Sequence, residues 1–174
     1  MFIFWGFEGG TRHATSAGMH PIDDITDLII RAAIAVHKKF GPGLLESVYN
    51  AALGAELVAL GLDVHIGKPI ALDHEGLHIN RAYVLDLLVN NRVIVEIKSV
   101  SKITDIDVAQ LLTYLRLMDL RVGLLINFNV TLLKHGIRRV VNNHVNENGN
   151  LIPGRRTPET VAETKKTVDD KDPP

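Results

Sequence analysis

Val84-Leu85-Asp86-Leu87-Leu88-Val89, then Asn90-Asn91-Arg92, then Val93-Ile94-Val95-Glu96-Ile97-Lys98 form one continuous run. Two apolar segments flank an Asn-Asn turn signal, which predicts a β-hairpin. Both segments are apolar at odd and even positions, so both should be central strands covered on two faces. Three charges interrupt them: Asp86, Glu96 and Lys98. Burying an unpaired charge is costly, so charges inside a central strand need a reason. Side chains alternate along a strand, which puts Glu96 and Lys98 on one face. Whether Asp86 joins them depends on the turn. A two-residue turn at Asn90-Asn91 sets Asp86 against Val95 and splits the carboxylates across the sheet. A three-residue connection, Asn90 to Arg92, sets Asp86 opposite Glu96, Leu88 opposite Ile94 and Val84 opposite Lys98. Opposed carboxylates repel unless positive charge lies between them. A divalent cation supplies that charge, and two carboxylates with a backbone carbonyl and waters suit Mg²⁺ or Mn²⁺. The plain alternative pairs Lys98 with one carboxylate at a strand end facing solvent.

Around this hairpin the chain reads as one domain with two tails. Its 174 residues fit a single domain. A hydrophobic content of 46% with 22% charged residues excludes a wholly disordered or collagen-like chain. No cysteine is present, which excludes disulfides and Cys-ligated metal sites and permits the cytoplasm, the expected location. No run approaches the roughly 18 apolar residues of a membrane span, so no membrane partner is expected. Met1–Gly10 is apolar but has no basic start, and makes a poor signal peptide. Residues 1–21 are expected to be a disordered lead, with Met19 a candidate start codon. Residues 143–174, rich in Asn, Glu, Lys, Thr, Asp and Pro, are expected to be a disordered tail. The block between, 22–142, carries 13 basic and 13 acidic residues. With a whole-chain charge of −1, bulk charge gives no broad grip on nucleic acid.

Within the block, Asp23 or Asp24 is expected to cap a helix from about Ile25, with Ile25, Leu28, Ile29, Ala32 and Val36 as its apolar stripe. Gly41-Pro42-Gly43 ends it. A second helix is expected over 44–60, burying Leu45, Val48, Tyr49, Ala52, Leu53 and Leu60, with Gly61 as its stop. A short strand over 62–70, bounded by Pro69, precedes a turn at Asp73-His74-Glu75-Gly76. After strands at 83–89 and 93–100, helical spacing returns over 105–118. Val122–Asn127 is a further strand, and a strand or helix is expected around Lys134–Val141. The order α, α, β, β, β, α, β predicts an α/β domain, with a mixed central sheet flanked by helices.

Asp86, followed ten positions later by Glu96-Ile97-Lys98, resembles the D…ExK signature of the PD-(D/E)XK nuclease superfamily. Gly43-Leu44-Leu45-Glu46-Ser47-Val48-Tyr49 resembles the motif of its GxxExxY branch. Val36–Gly43, Gln110-Leu111-Leu112-Thr113-Tyr114-Leu115 and Gly123-Leu124-Leu125-Ile126-Asn127-Phe128 fit the same family. The resemblance covers the whole block. It implies a restriction-endonuclease-like core and a metal-dependent nuclease, with DNA as the expected nucleic-acid partner. A protein partner or homodimer stays open. Asp86 and Glu96 would be metal ligands, with the Ile97 carbonyl as a third, and the cofactor would be Mg²⁺ or Mn²⁺. Lys98 would orient or activate the attacking water and stabilise charge on the phosphate. Glu46 would reach the site from its helix as an auxiliary acid. Gln110 would hydrogen-bond the site, with Tyr114 on the same side one turn on. Asp107 departs from the pattern, which often has His there; an extra acid at that place bears on metal or phosphate affinity. The competing class is a nuclease-fold protein of weak or no activity that binds nucleic acid or protein. A small-molecule hydrolase on the same metal is a third reading.

Each supporting residue has a plainer reading. Glu46 is also a first-turn helix acid favoured by the dipole. Tyr49 reads as core, and Gln110 could face solvent. His65, His74, His78 and His135 lack a ligand spacing. Lys134, Arg138 and Arg139 form a small basic cluster that suits phosphates or a solvated face. Neither end of the chain carries a periodic apolar stripe, so both are expected to be dispensable for folding. Limited proteolysis should leave a resistant core near 22–142; unfolding on trimming to that core would refute these boundaries.

Overall fold

The computed structural model describes residues 21–142, so the expected lead (apart from Pro21) and tail lie outside the described residues. Helices α1 (Ile22–Phe40) and α2 (Glu46–Ala59) come first. Strands β1 (Val64–His74), β2 (Leu77–Val89) and β3 (Val93–Lys98) follow, then α3 (Asp105–Leu117), β4 (Val122–Asn127), a 3-10 turn at Leu133–His135 and β5 (Ile137–Val141). The five-stranded sheet runs in chain order, β1 to β5. Its pairings are antiparallel except β3 with β4, which α3 joins as a parallel crossover. This is the expected mixed α/β sheet flanked by helices.

The two apolar faces of the hairpin explain the layering. Leu87, Val89, Val93, Val95 and Ile97 pack under α1 and α2 with Ile25, Ile29, Val36, Leu53 and Leu57. Leu88 and Ile94 pack under α3 with Leu111, Tyr114 and Leu115. Alternation therefore turns Glu96 and Lys98 toward the α3 side.

Several expectations are corrected. No Asp caps α1: Pro21 stands at its N-cap without a side-chain hydrogen bond. Asp23 and Asp24 lie inside the first turn, where the dipole favours them. The buried side of α2 is Tyr49, Leu53, Gly54 and Leu57, whereas Leu45, Val48 and Leu60 are exposed. On that side Gly54 lets α2 lie close to β1, where a Cβ would stand 2.6 Å from Ile66 Cδ1, the end of an exposed side chain that can turn aside. Strand β1 passes through Pro69 to His74, because an edge strand tolerates a missing N–H. Its turn narrows to Glu75 and Gly76, and β2 begins earlier than expected, at Leu77. The last element is a strand after a 3-10 turn.

The loop between α1 and α2 borders the end of β3, where the Ser99 hydroxyl donates to the Leu44 carbonyl at 2.7 Å. Gly41 (φ 69°) and Gly43 (φ 103°) adopt backbone conformations that disfavour side chains. The buried Tyr49 braces this loop: its hydroxyl donates to the Gly41 carbonyl at 2.6 Å and accepts from the Leu44 N–H at 3.1 Å. Its ring stacks on Phe128 at 4.3 Å. The Phe128 N–H donates to the Lys98 carbonyl at 2.8 Å. Thus the end of β3 is tied through Phe128 to α2.

Gly136 fixes the same corner from behind. Its carbonyl accepts from the Asn127 N–H at 2.8 Å, and a Cβ at Gly136 would collide with the Asn127 carbonyl oxygen. Gly136→Ala is therefore expected to destabilise the fold by about 2 kcal/mol or more, read by urea unfolding. A change inside about 0.5 kcal/mol would show that this corner yields freely.

Candidate functional site: a carboxylate pair on the central strands

The hairpin adopts the three-residue connection. Leu88 pairs with Ile94 and Val89 with Val93. Asn90 (φ 49°) and Asn91 (φ 53°) carry the turn, held from outside by Asp63: the Asn90 N–H donates to the Asp63 carbonyl at 2.7 Å. In this register Asp86 falls opposite Glu96. The ladder itself stops one step earlier, at Leu87–Val95, so the expected Val84–Lys98 pair does not form. Asp86 supplies the reason, since its Oδ2 accepts the Ile97 N–H at 2.8 Å. A side-chain carboxylate has taken the place of a backbone acceptor and lies against the ExK strand.

Glu96 is buried, at 4% exposure. Its Oε1 accepts from Lys98 Nζ at 3.0 Å, while Oε2 is buried with no hydrogen-bond partner. Burial, and then the neighbouring Asp86 charge, push the Glu96 carboxyl up to about 7 despite Lys98. Burial likewise raises Asp86, against the opposing pull of the Ile97 N–H. For Lys98 burial acts downward, but the Glu96 hydrogen bond and the surrounding carboxylates outweigh it and raise its pKa. Lys98 is therefore a held ammonium. It also donates to Gln110 Oε1 at 3.1 Å, and Gln110 Nε2 donates to the Tyr114 hydroxyl. Gln110 thus turns toward the site and not to solvent.

Asp107 faces Lys98 at 3.8 Å. Its Oδ2 accepts from the Thr104 N–H and hydroxyl, each at 2.7 Å, closing a capping box at the start of α3. Those hydrogen bonds, from backbone first, lower its pKa. Glu46 reaches the rim, where its Oε1 accepts the Ser99 N–H at 2.9 Å. A hollow of about 380 Å³ opens beside it, lined by Gly43, Leu44, Leu45, Glu46, Ser99 and Asn129.

Arg139 and His78 make their contacts elsewhere. Arg139 donates to Asp23 Oδ1 at 2.7 Å and to Thr26 Oγ1, tying β5 to α1. His78 is held between Asp73 and Asn80 on the exposed β1–β2 hairpin. Sequence reasoning passed over Asn127 and Asn50. Asn127 Oδ1 accepts from the Val100 N–H and its Nδ2 donates to the Val100 carbonyl, clamping the chain as it leaves β3. Asn50, one turn after Glu46 on α2, donates to Asp86 Oδ1 at 3.5 Å. A polar residue four positions after Glu46 was the available signal for it.

Among the described residues, no group of three or more His, Asp or Glu side chains is arranged to hold a metal ion. The donors nonetheless suit one. Hard carboxylate oxygens from Asp86 and Glu96 lie against each other, and the orphaned Glu96 Oε2 lacks a positive partner.

The profile of the PD-(D/E)XK nuclease superfamily matches residues 23–140. The chain belongs to that superfamily. No curated protein and no solved structure matches it. Its sheet and flanking helices are those of a restriction-endonuclease-like PD-(D/E)XK fold, and the match spans every described element but the ends of α1 and β5. No described helix is long and apolar enough to cross a membrane.

The raised Glu96 carboxyl sets a pH dependence for the cation-free protein. Between the ordinary value of 4.5 and about 7, the folded state binds more protons than the unfolded chain. Stability therefore falls as pH rises through that window, by roughly 2–3 kcal/mol. Asp86 adds in the same direction. Urea unfolding in EDTA should show the decline, and Glu96→Gln should remove most of it and be the more stable protein at pH 8. An unchanged slope in Glu96→Gln would assign the titration elsewhere.

Proposed function

We propose that this protein is a metal-dependent nuclease that hydrolyses phosphodiester bonds, with DNA as its substrate. The observation that carries the reading is the buried Glu96 with an orphaned carboxylate oxygen, set between the half-buried Asp86 and a held lysine. The GxxExxY run ending in Tyr49 supports that branch of the superfamily, because Glu46 and Tyr49 frame the same end of β3. The absence of cysteine fits a cytoplasmic protein.

Asp86, Glu96 and the Ile97 carbonyl would hold Mg²⁺ or Mn²⁺. When bound, such an ion lowers the pKa of water and neutralises charge on the scissile phosphate. Asp86 Oδ2 is anchored on the Ile97 N–H at 2.8 Å, whereas Oδ1 accepts only the 3.5 Å contact from Asn50, so Oδ1 is the oxygen better placed to turn to a cation. Lys98, its pKa raised and so cationic in the cation-free protein, would orient or activate the attacking water and stabilise charge on the phosphate. Gln110, itself held by the Tyr114 hydroxyl, takes the Lys98 ammonium from α3. Glu46 adds negative charge at the rim, and the hollow beside it has room for a neighbouring part of the substrate.

A second reading, a nuclease-fold binding module of low turnover, draws on the net charge of −1 and on Asp107 facing Lys98. Both weaken attraction for a polyanion.

The test is cleavage of single- and double-stranded DNA and RNA with Mg²⁺ or Mn²⁺. The parent should cut DNA and Glu96→Ala should not. Lys98→Ala should lose roughly 100-fold or more of the rate while binding Mn²⁺ as before, since the lysine serves charge in the transition state and not the ion. Wild-type cleavage by Lys98→Ala would leave Lys98 a structural ion-pair partner. A parent that cuts nothing would favour the binding module.

A further inference from the structure

Two buried side-chain atoms among the described residues have no hydrogen-bond partner: Glu96 Oε2 and Asn50 Oδ1. Both belong to residues that border Asp86. Glu96 lies opposite it across the hairpin, and Asn50 donates through Nδ2 to Asp86 Oδ1. That contact orients the amide: its N–H₂ turns to the carboxylate, leaving its carbonyl oxygen buried without a donor. A buried acceptor is seldom left bare, because the water it gave up is not replaced. The nearby donors are already committed. The Ile97 N–H goes to Asp86 Oδ2, and Lys98 goes to Glu96 Oε1 and Gln110. A hard cation beside Asp86, or water ordered upon it, would satisfy both oxygens.

We infer that Asn50 is a further oxygen ligand of the metal centre, adding a neutral amide carbonyl to the carboxylates of Asp86 and Glu96. The inference rests on the nuclease reading of that centre. Its chemistry has a rationale in charge. The centre already holds two carboxylates with raised pKa values, and Glu46 adds to the field at both. A third anionic ligand at Asn50 would deepen that repulsion in the empty site, whereas an amide oxygen binds Mg²⁺ or Mn²⁺ without it. Helical spacing supplies the position: Asn50 is four residues after Glu46, so α2 offers both to the end of the hairpin from one face.

The test is calorimetric titration of the full chain with Mn²⁺ alone, without nucleic acid. Asn50→Ala should weaken Mn²⁺ binding about tenfold or more. Asn50→Asp should restore it, because an oxygen is returned to the place. If Asn50 served only to steady Asp86 through its N–H₂ group, Asn50→Asp would bind as weakly as Asn50→Ala, and ligation would be overturned. Parent-like affinity in Asn50→Ala overturns it equally. Thermal melting checks each variant, and Asn50→Leu, close in volume, stands in should Asn50→Ala not fold. Glu96→Ala separates the two levels. If it abolishes Mn²⁺ binding while Asn50→Ala does not, only the Asn50 ligand is refuted. If Glu96→Ala binds as the parent does, the nuclease reading of the centre falls, and the Asn50 inference falls with it.

Discussion

A buried Glu96 beside a half-buried Asp86 on the central hairpin is a costly arrangement, and much of the rest answers to it. Like charges in a poorly solvated place repel, and neither gains what water would give it. The fold accommodates them with a backbone N–H from Ile97 on Asp86 and an ammonium from Lys98 on Glu96. It stops short of full compensation, leaving one Glu96 oxygen bare. Incomplete compensation would leave such a pair something to gain from a cation, which a fully satisfied network would not have. The cost is borne by the apolar layers on both faces of β3, where Val93, Ile94, Val95 and Ile97 are buried.

A second set of contacts holds the end of β3 so that the carboxylates and the lysine keep their places. Phe128 grips the Lys98 carbonyl, Asn127 clamps Val100, and Glu46 caps the Ser99 N–H. Tyr49 joins this set to α2 by stacking on Phe128 and to the Gly41–Gly43 loop by its hydroxyl. Tyr49 thus acts as a brace and not as a reacting group, and its place in the same short motif as Glu46 has a mechanical explanation. From α3, the Thr104–Asp107 box sets the helix start and faces Lys98, while Gln110 takes hold of the ammonium one turn later.

Errors in reading the sequence arose where tertiary contact overrides local pattern. The face of α2 could not be read from its many apolar residues, because Leu45 and Val48 are as apolar as Leu53 and Leu57. Packing against the sheet decided it, with Tyr49, Leu53 and Leu57 turned inward and Gly54 close to Ile66. Pro69 looked like a strand end, yet on an edge strand its missing N–H faces no partner. Arg139 looked like part of a basic cluster, and its partners Asp23 and Thr26 lie more than a hundred residues away in sequence.

By itself the sequence determined the layered α/β fold and the shared face of Glu96 and Lys98, because both follow from alternation and helical spacing within short windows. It also limited Asp86 to two placements, set by a loop of two or three residues. Only the tertiary structure decided between them, through Asp63 holding Asn90 and Asn91 in a turn that continues to Arg92. Only it revealed that Asp86 replaces a backbone acceptor, that Asp107 caps a helix while facing Lys98, and that Asn50 borders the carboxylates. Apart from the cap itself, these contacts join side chains to different elements, and local periodicity carries no information about which side chains meet between elements.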